Sequence, residues 1–130
     1  MRFLLDTQIW LWLQSTPARV PARIRTQLSD EHNTLFLSSA SAWEIAIKHA
    51  LGKLPLPEPP HEYVTSRMRR DFVDGLPITH AHALQVATLP HLHEDPFDRL
   101  LIAQAQLEKL VLVTADSKIV RYDVDTMPAT

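Results

Sequence analysis

Apolar residues in this chain fall into short uniform runs, separated by stretches in which they recur every three or four positions. Phe3–Leu5, Thr34–Leu37 and Val111–Thr114 are too continuously apolar to alternate and read as buried strands. Leu76–Ile78 is strand-like, and a last weak strand is expected near Val124. Helical periodicity fills the intervals. Thr7–Leu13 continues as a turn or two, and Pro21 opens a helix to about Leu28, with Ile24 and Leu28 spaced i, i+4. Ser38, Ser39 and Ser41 offer N-caps for a helix Ala42–Leu51 that Gly52 stops at its C′ position. The proline-rich Leu54–Pro60 segment is a rigid extended connector, and helices are expected near His61–Asp71 and from about His80 to Leu89-Pro90. Asp95-Pro96 caps and opens the clearest helix, Pro96–Leu110, and Ser117–Arg121 is a helical turn. Short apolar strands alternating with helices predict an α/β fold: a central, mostly parallel sheet with helices on both faces.

Composition narrows what such a fold does. At 130 residues the chain makes one domain, 1–130, with room for a substantial core. Thirteen Lys and Arg stand against fifteen Asp and Glu, and the pI near 6.4 disfavours a polybasic nucleic-acid binder. Without cysteine there is no disulfide framework, thiolate zinc site or thiol nucleophile, which suits a reducing compartment. Gly52 and Gly75 are the only glycines, so phosphate-cradling and dinucleotide-binding loops are excluded. Asp6 interrupts the apolar start, no cleavage site follows, and the longest apolar run there, Ile9–Leu13, cannot span a bilayer. A cytoplasmic protein with no membrane partner is expected.

The candidate chemistry is acidic. Asp6 and Asp116 each follow a buried strand, where ligands bind in open parallel sheets, although an Asp there also serves as a helix cap. Glu44 shares its helix stripe with Ala40, Ile47 and Leu51; an i, i+4 pair with Lys48 is the structural alternative. Asp98 lies on the stripe of Leu101, Ile102 and Ala105, while Asp95 and Asp98 also suit a capping-box-like helix start. Four converging carboxylates repel one another unless a cation intervenes, and an all-oxygen set favours Mg²⁺ or Mn²⁺. Such ions stabilise charge on phosphate oxygens and activate water.

The ordered segments LLDT (4–7), SAWEIAIK (41–48), HEDPFDRLLIAQA (93–105) and LVTAD (112–116) resemble a PIN domain, and more narrowly the VapC-type toxins of bacterial type II toxin–antitoxin systems. The resemblance covers essentially the whole chain, and DPFDR is its most specific part. It implies a PIN-like fold and a Mg²⁺-dependent endoribonuclease that leaves 5′-phosphate and 3′-hydroxyl ends. Asp6, Glu44, Asp98 and Asp116 match the family's acidic catalytic and metal positions. Thr114, Asp95 and Arg99 match positions expected to support them. A homodimer and a cognate antitoxin that masks the site are implied as well, with RNA as substrate.

Other readings fit less well. His91-Leu92-His93-Glu94-Asp95 resembles the HxHxDH zinc signature, but Pro96 stands where the last His is needed, so His91 and His93 read as exposed loop residues near the site. His80 and His82, spaced i, i+2, make poor joint ligands. A phospho-receiver and an aspartyl-phosphate hydrolase both fail at Thr7 and Gln8, where their chemistry needs a second acid. The alternative from another class is a non-catalytic PIN-like binding module whose carboxylates serve stability or partner docking. Trp10 and Trp12 face different directions, one toward the core and the other toward an interface. Arg19, Arg23 and Arg25 form one basic cluster and Arg67, Arg69 and Arg70 another, the second being the candidate for substrate phosphates.

Overall fold

In the computed structural model, which describes residues 1–130, strands and helices alternate. β1 (Arg2–Leu5) leads to α1 (Thr7–Ser15), a 3₁₀ turn at Pro17–Arg19 and α2 (Ala22–Leu28). Next come β2 (Thr34–Ser38), α3 (Ser39–Ala50), α4 (Pro60–Arg70) and β3 (Val73–Leu76). The chain ends through α5 (His80–Gln85), a 3₁₀ turn at Val86–Thr88, α6 (Pro96–Glu108), β4 (Val111–Thr114), α7 (Ser117–Val120) and β5 (Thr126–Pro128).

The strands form one sheet in the order β3-β2-β1-β4-β5, and every neighbouring pair is parallel. Leu4 of the central strand lies between Phe36 and Leu112. The uniform hydrophobicity of β1 follows from burial on both sides. Phe3, Leu5 and Val113 face a core built with Ile9, Trp10, Ile24 and Tyr63. Leu4 and Leu112 face the other, with Leu101, Ile102, Ala105 and Ile119. Trp10 is fully buried and meets Tyr63 edge-on at 6.0 Å, whereas Trp12 is partly exposed and packs under Arg19 at 4.4 Å.

The boundaries depart from expectation where local chemistry overrides apolar patterning. The strand expected at Leu76–Ile78 begins three residues earlier, at Val73, because Phe72 (φ 55°) reverses the chain directly after α4. Asp74 and Gly75 are tolerated inside β3 because it is an edge strand, and Pro77, with no N–H to donate, ends it. The last strand forms at Thr126–Pro128 rather than near Val124, whose N–H is taken by a turn to the Tyr122 carbonyl. α3 starts at Ser39, three residues before the expected Ala42, with the Ser38 hydroxyl accepting from the Ala40 N–H. α6 stops at Glu108 instead of Leu110, because Lys109 adopts a left-handed conformation and Leu110 donates back to the Ala105 carbonyl. Gly52 (φ 72°) ends α3 as expected. No helix is long and apolar enough to cross a membrane.

Candidate active site at the carboxyl edge of the sheet

From β1 the chain builds outward through β2 and β3, then returns to place β4 on the other side of β1. That reversal opens a crevice at the carboxyl ends of β1 and β4, the usual ligand position in such sheets. Asp6 and Asp116 stand at the two lips. Both also cap helices: Asp6 Oδ1 accepts from the Ile9 N–H at 2.7 Å, and Asp116 Oδ1 from the Lys118 N–H at 2.8 Å. Asp95 does the same for α6, accepting from the Phe97 and Asp98 N–H groups. Capping and convergence are therefore compatible. The cap spends Oδ1 on the backbone and fixes the carboxylate's orientation, leaving Oδ2 to the cleft.

Glu44 reaches the same place from α3 and Asp98 from the inward stripe of α6. Asp6, Glu44, Asp95, Asp98, Asp116 and Lys48 all line one cavity of about 440 Å³. The Glu44–Lys48 pair exists, with Nζ donating to Oε2 at 2.6 Å, but it points into the cleft, and Glu44 is only 5% exposed. Glu44 Oε1 is buried with no hydrogen-bond partner. The Thr7 hydroxyl donates to the Ser41 hydroxyl at 2.8 Å, a buried bond tying the first turns of α1 and α3 together beside these acids.

His93 corrects the sequence reading. Rather than an exposed loop residue, it is a partly buried ring whose Nε2 lies 2.7 Å from Asp116 Oδ2 and 3.0 Å from Asp98 Oδ2. Its Nδ1 accepts from the Asp95 N–H, which leaves the neutral ring's proton on Nε2, donating to Asp116 with Asp98 alongside. One atom each from His93, Asp98 and Asp116 lies within 4.8 Å of the others. Neighbouring His91 is exposed, as expected. The only signal in the sequence was position, two residues before the capping Asp95, because the ring's partner Asp116, just beyond β4, is 23 residues away.

Burial dominates the electrostatics. It pushes the Asp6 carboxyl up to about 6, opposed by hydrogen bonds from the Thr114 hydroxyl and the Ile9 amide and reinforced by Asp116 and Glu44. Burial also raises Asp98, to about 7, with Asp95 and Asp6 adding to the effect and His93 opposing it. The Lys48 ammonium is held above its ordinary range chiefly by its hydrogen bond to Glu44. These residues suit a divalent cation. The donors are mostly hard carboxylate oxygens, Lys48 is the sole cationic partner of Glu44, and the orphaned Oε1 is a buried acceptor aimed at nothing else. Asp6, Glu44, Asp98 and Asp116 are the groups that would hold such an ion.

The supporting positions have separate tasks. Thr114 is fully buried and its Oγ also accepts from the Asp116 N–H at 3.0 Å. Arg99 points away from the acids. Its guanidinium donates to the carbonyls of Pro90, Val86 and Leu89 and to the Tyr122 hydroxyl, clamping the segment that delivers His93. Arg99→Met orphans those buried acceptors, and urea denaturation should show a loss of about 2–3 kcal/mol. A loss under ~1 kcal/mol would mean that water replaces the clamp.

Neither arginine cluster lines the cleft. Arg67 is bound to Glu58 and lies over Tyr63, and Arg70 is held by Asp71 and Gln14. Arg23 and Arg25 donate to backbone carbonyls. The cations at the cavity are Lys48 and Lys53 instead. His82 is buried and completes a capping box with Thr79 at the start of α5.

This chain is similar to known proteins in sequence and in fold. Ribonuclease VapC16 of Mycobacterium tuberculosis is 53% identical over 58 residues, which is 45% of this chain and 41% of that relative. The match thus spans less than half of the relative's length. VapBC2 from Rickettsia felis bound to a promoter DNA fragment has a similar fold, with TM-score 0.77 and 18% identity over the full length of both chains. A toxin–antitoxin complex from Klebsiella pneumoniae aligns at TM-score 0.66 and 20% identity, over 98% of this chain and 97% of the other. FitAcB from Neisseria gonorrhoeae aligns at TM-score 0.67 and 19% identity, covering 98% and 97%. The family model described as PIN domain matches residues 3–125, taking in β1 from Phe3 through β4, the crevice between β1 and β4 and all four converging carboxylates. This chain belongs to the PIN-domain family.

Proposed function

We propose that this protein is a VapC-type toxin, a divalent-metal-dependent endoribonuclease that hydrolyses RNA phosphodiester bonds at Asp6, Glu44, Asp98 and Asp116. The observation that carries this reading is the buried, partnerless Glu44 Oε1 in a cleft where the other three acids converge. A binding surface has no use for such an arrangement, because it is costly without a cation. The similarity to Ribonuclease VapC16 supports the substrate class, and the toxin–antitoxin complexes among the structural neighbours support a cognate antitoxin. Mg²⁺ or Mn²⁺ would supply Lewis-acid stabilisation of phosphate charge and a more acidic water.

The chain's own groups would do the rest. The capped Asp6 and Asp116 are held rigidly by helix backbone, so the geometry is in place before substrate arrives. Asp98, with its raised pKa, is ionised once a cation occupies the cleft. Lys48 balances Glu44 and stands where a substrate phosphate enters. We further propose a cytoplasmic homodimer restrained by an antitoxin segment lying over the acids.

Purified protein should cut single-stranded RNA with Mg²⁺ or Mn²⁺, leave 5′-phosphate ends and stop on chelation. Its expression should arrest growth unless the antitoxin is co-expressed. Equal growth at matched expression with and without antitoxin would sink the toxin reading, and metal-insensitive melting without cleavage would favour the binding module.

A further inference from the structure

One wall of the acidic cavity is not acidic. Asp6 caps α1, and beyond Thr7 the cleft-facing residues of that helix are Gln8, Leu11 and Trp12, spaced i, i+3 and i+4 on one face. Leu54 and Lys53, just beyond the glycine that ends α3, close the same wall. Trp12 is partly buried against the core, and the Arg19 guanidinium covers its ring at 4.4 Å. The indole is thus held in place with part of its surface toward the cavity, beside an exposed amide and a free ammonium. Hydrolysis of a phosphodiester alone needs none of these groups.

We propose that this wall is a nucleobase subsite for single-stranded RNA. Trp12 stacks on the base of the nucleotide next to the scissile phosphate, Gln8 reads that base's edge, and Lys53 faces the following phosphate. The chemistry matches at each point. Aromatic side chains stack on unpaired bases, side-chain amides pair with their edges, and ammonium groups neutralise the backbone. Arg19, at 4.4 Å from the ring centroid, restrains the indole's rotation. The cavity, about 440 Å³, has room for a nucleotide. Because Asp6 caps the helix that carries Trp12, the distance between stacking surface and reacting phosphate is set by a single rigid element. The proposal rests on the ribonuclease reading and assigns the wall formed by Gln8, Trp12 and Lys53 to base recognition.

The test uses the full chain, Trp12→Leu and Trp12→Phe, with a short single-stranded RNA whose cleavage site has been mapped on the unsubstituted protein. A second set of strands carries an abasic nucleotide at each position flanking that site. Trp12→Leu should raise KM about tenfold with kcat nearly unchanged, as expected for lost stacking, and Trp12→Phe should recover most of the loss. One abasic position should cost the unsubstituted protein a similar factor and cost Trp12→Leu nothing more. An unchanged KM in Trp12→Leu, or an equal abasic penalty in both proteins, overturns the subsite. So does a Trp12→Leu defect confined to binding of a protein partner, which would make the wall a protein-docking surface. Absence of any cleavage by the unsubstituted protein overturns the ribonuclease reading itself, before any variant is compared.

Discussion

Asp98→Asn is expected to melt higher than the unsubstituted protein at pH 8 without metal, while losing at least 10²-fold in metal-dependent cleavage. The stability gain follows from the burial of Asp98 among Asp95, Asp6 and Glu44, which raises its pKa to about 7. A carboxyl whose folded pKa exceeds its unfolded value of 3.8 binds protons more tightly in the folded state. Its contribution is therefore fully favourable below pH ~4 and is lost as pH rises through the folded value. At pH 8 the charged form is forced into a site that resists it. Removing the charge should recover on the order of 2–3 kcal/mol, roughly 5–10 °C in Tm. The gain should vanish at pH 4, where both proteins are neutral at this position. Asp6→Asn should behave alike, because Asn still caps α1 and the Asp6 carboxyl is raised to about 6. An activity loss accompanied by lower stability at pH 8 would instead assign these acids a structural role.

Metal should reverse the pH profile. Without it, melting temperature is expected to fall from pH 5 to pH 8 as Asp6 and Asp98 ionise within folded protein. With Mg²⁺ or Mn²⁺ at about 100 times Kd, stabilisation near 2.7 kcal/mol is expected at pH 8. The gain should be much smaller at pH 5, where protons hold the same oxygens. Calorimetric scans with and without EDTA at the two pH values give all four numbers. A metal gain independent of pH would place the ion away from these acids. Asp98→Asn, already relieved of its charge, should show little response to either ion.

The inner strands β2, β1 and β4 and the convergence of the four acids were legible because the central strands are apolar on both faces and each acid sits at a position that apolar patterning alone would fill differently, whereas the edge strands β3 and β5 were misplaced. Helix ends were read less well. Phe72 and Lys109 both adopt left-handed conformations without being glycine, a choice imposed by the tertiary path. His93 was misread because an isolated histidine in a loop carries no periodicity, and its two carboxylate partners meet it only after β4 and α6 pack. The second arginine cluster lies outside the cleft for a related reason. Charge runs show where cations are, but not that Glu58 and Asp71 already bind Arg67 and Arg70.

Sheet order has a consequence for synthesis. Asp6 follows the first strand made and Asp116 the fourth, and the register brings Leu4 beside Leu112 only when the chain is nearly finished. A nascent chain therefore exposes isolated acids and no catalytic cleft until β4 has left the ribosome and paired. On the ribonuclease reading proposed above, this timing is protective: the messenger and the translating ribosome would stay outside the cleft's reach until the polypeptide is almost complete.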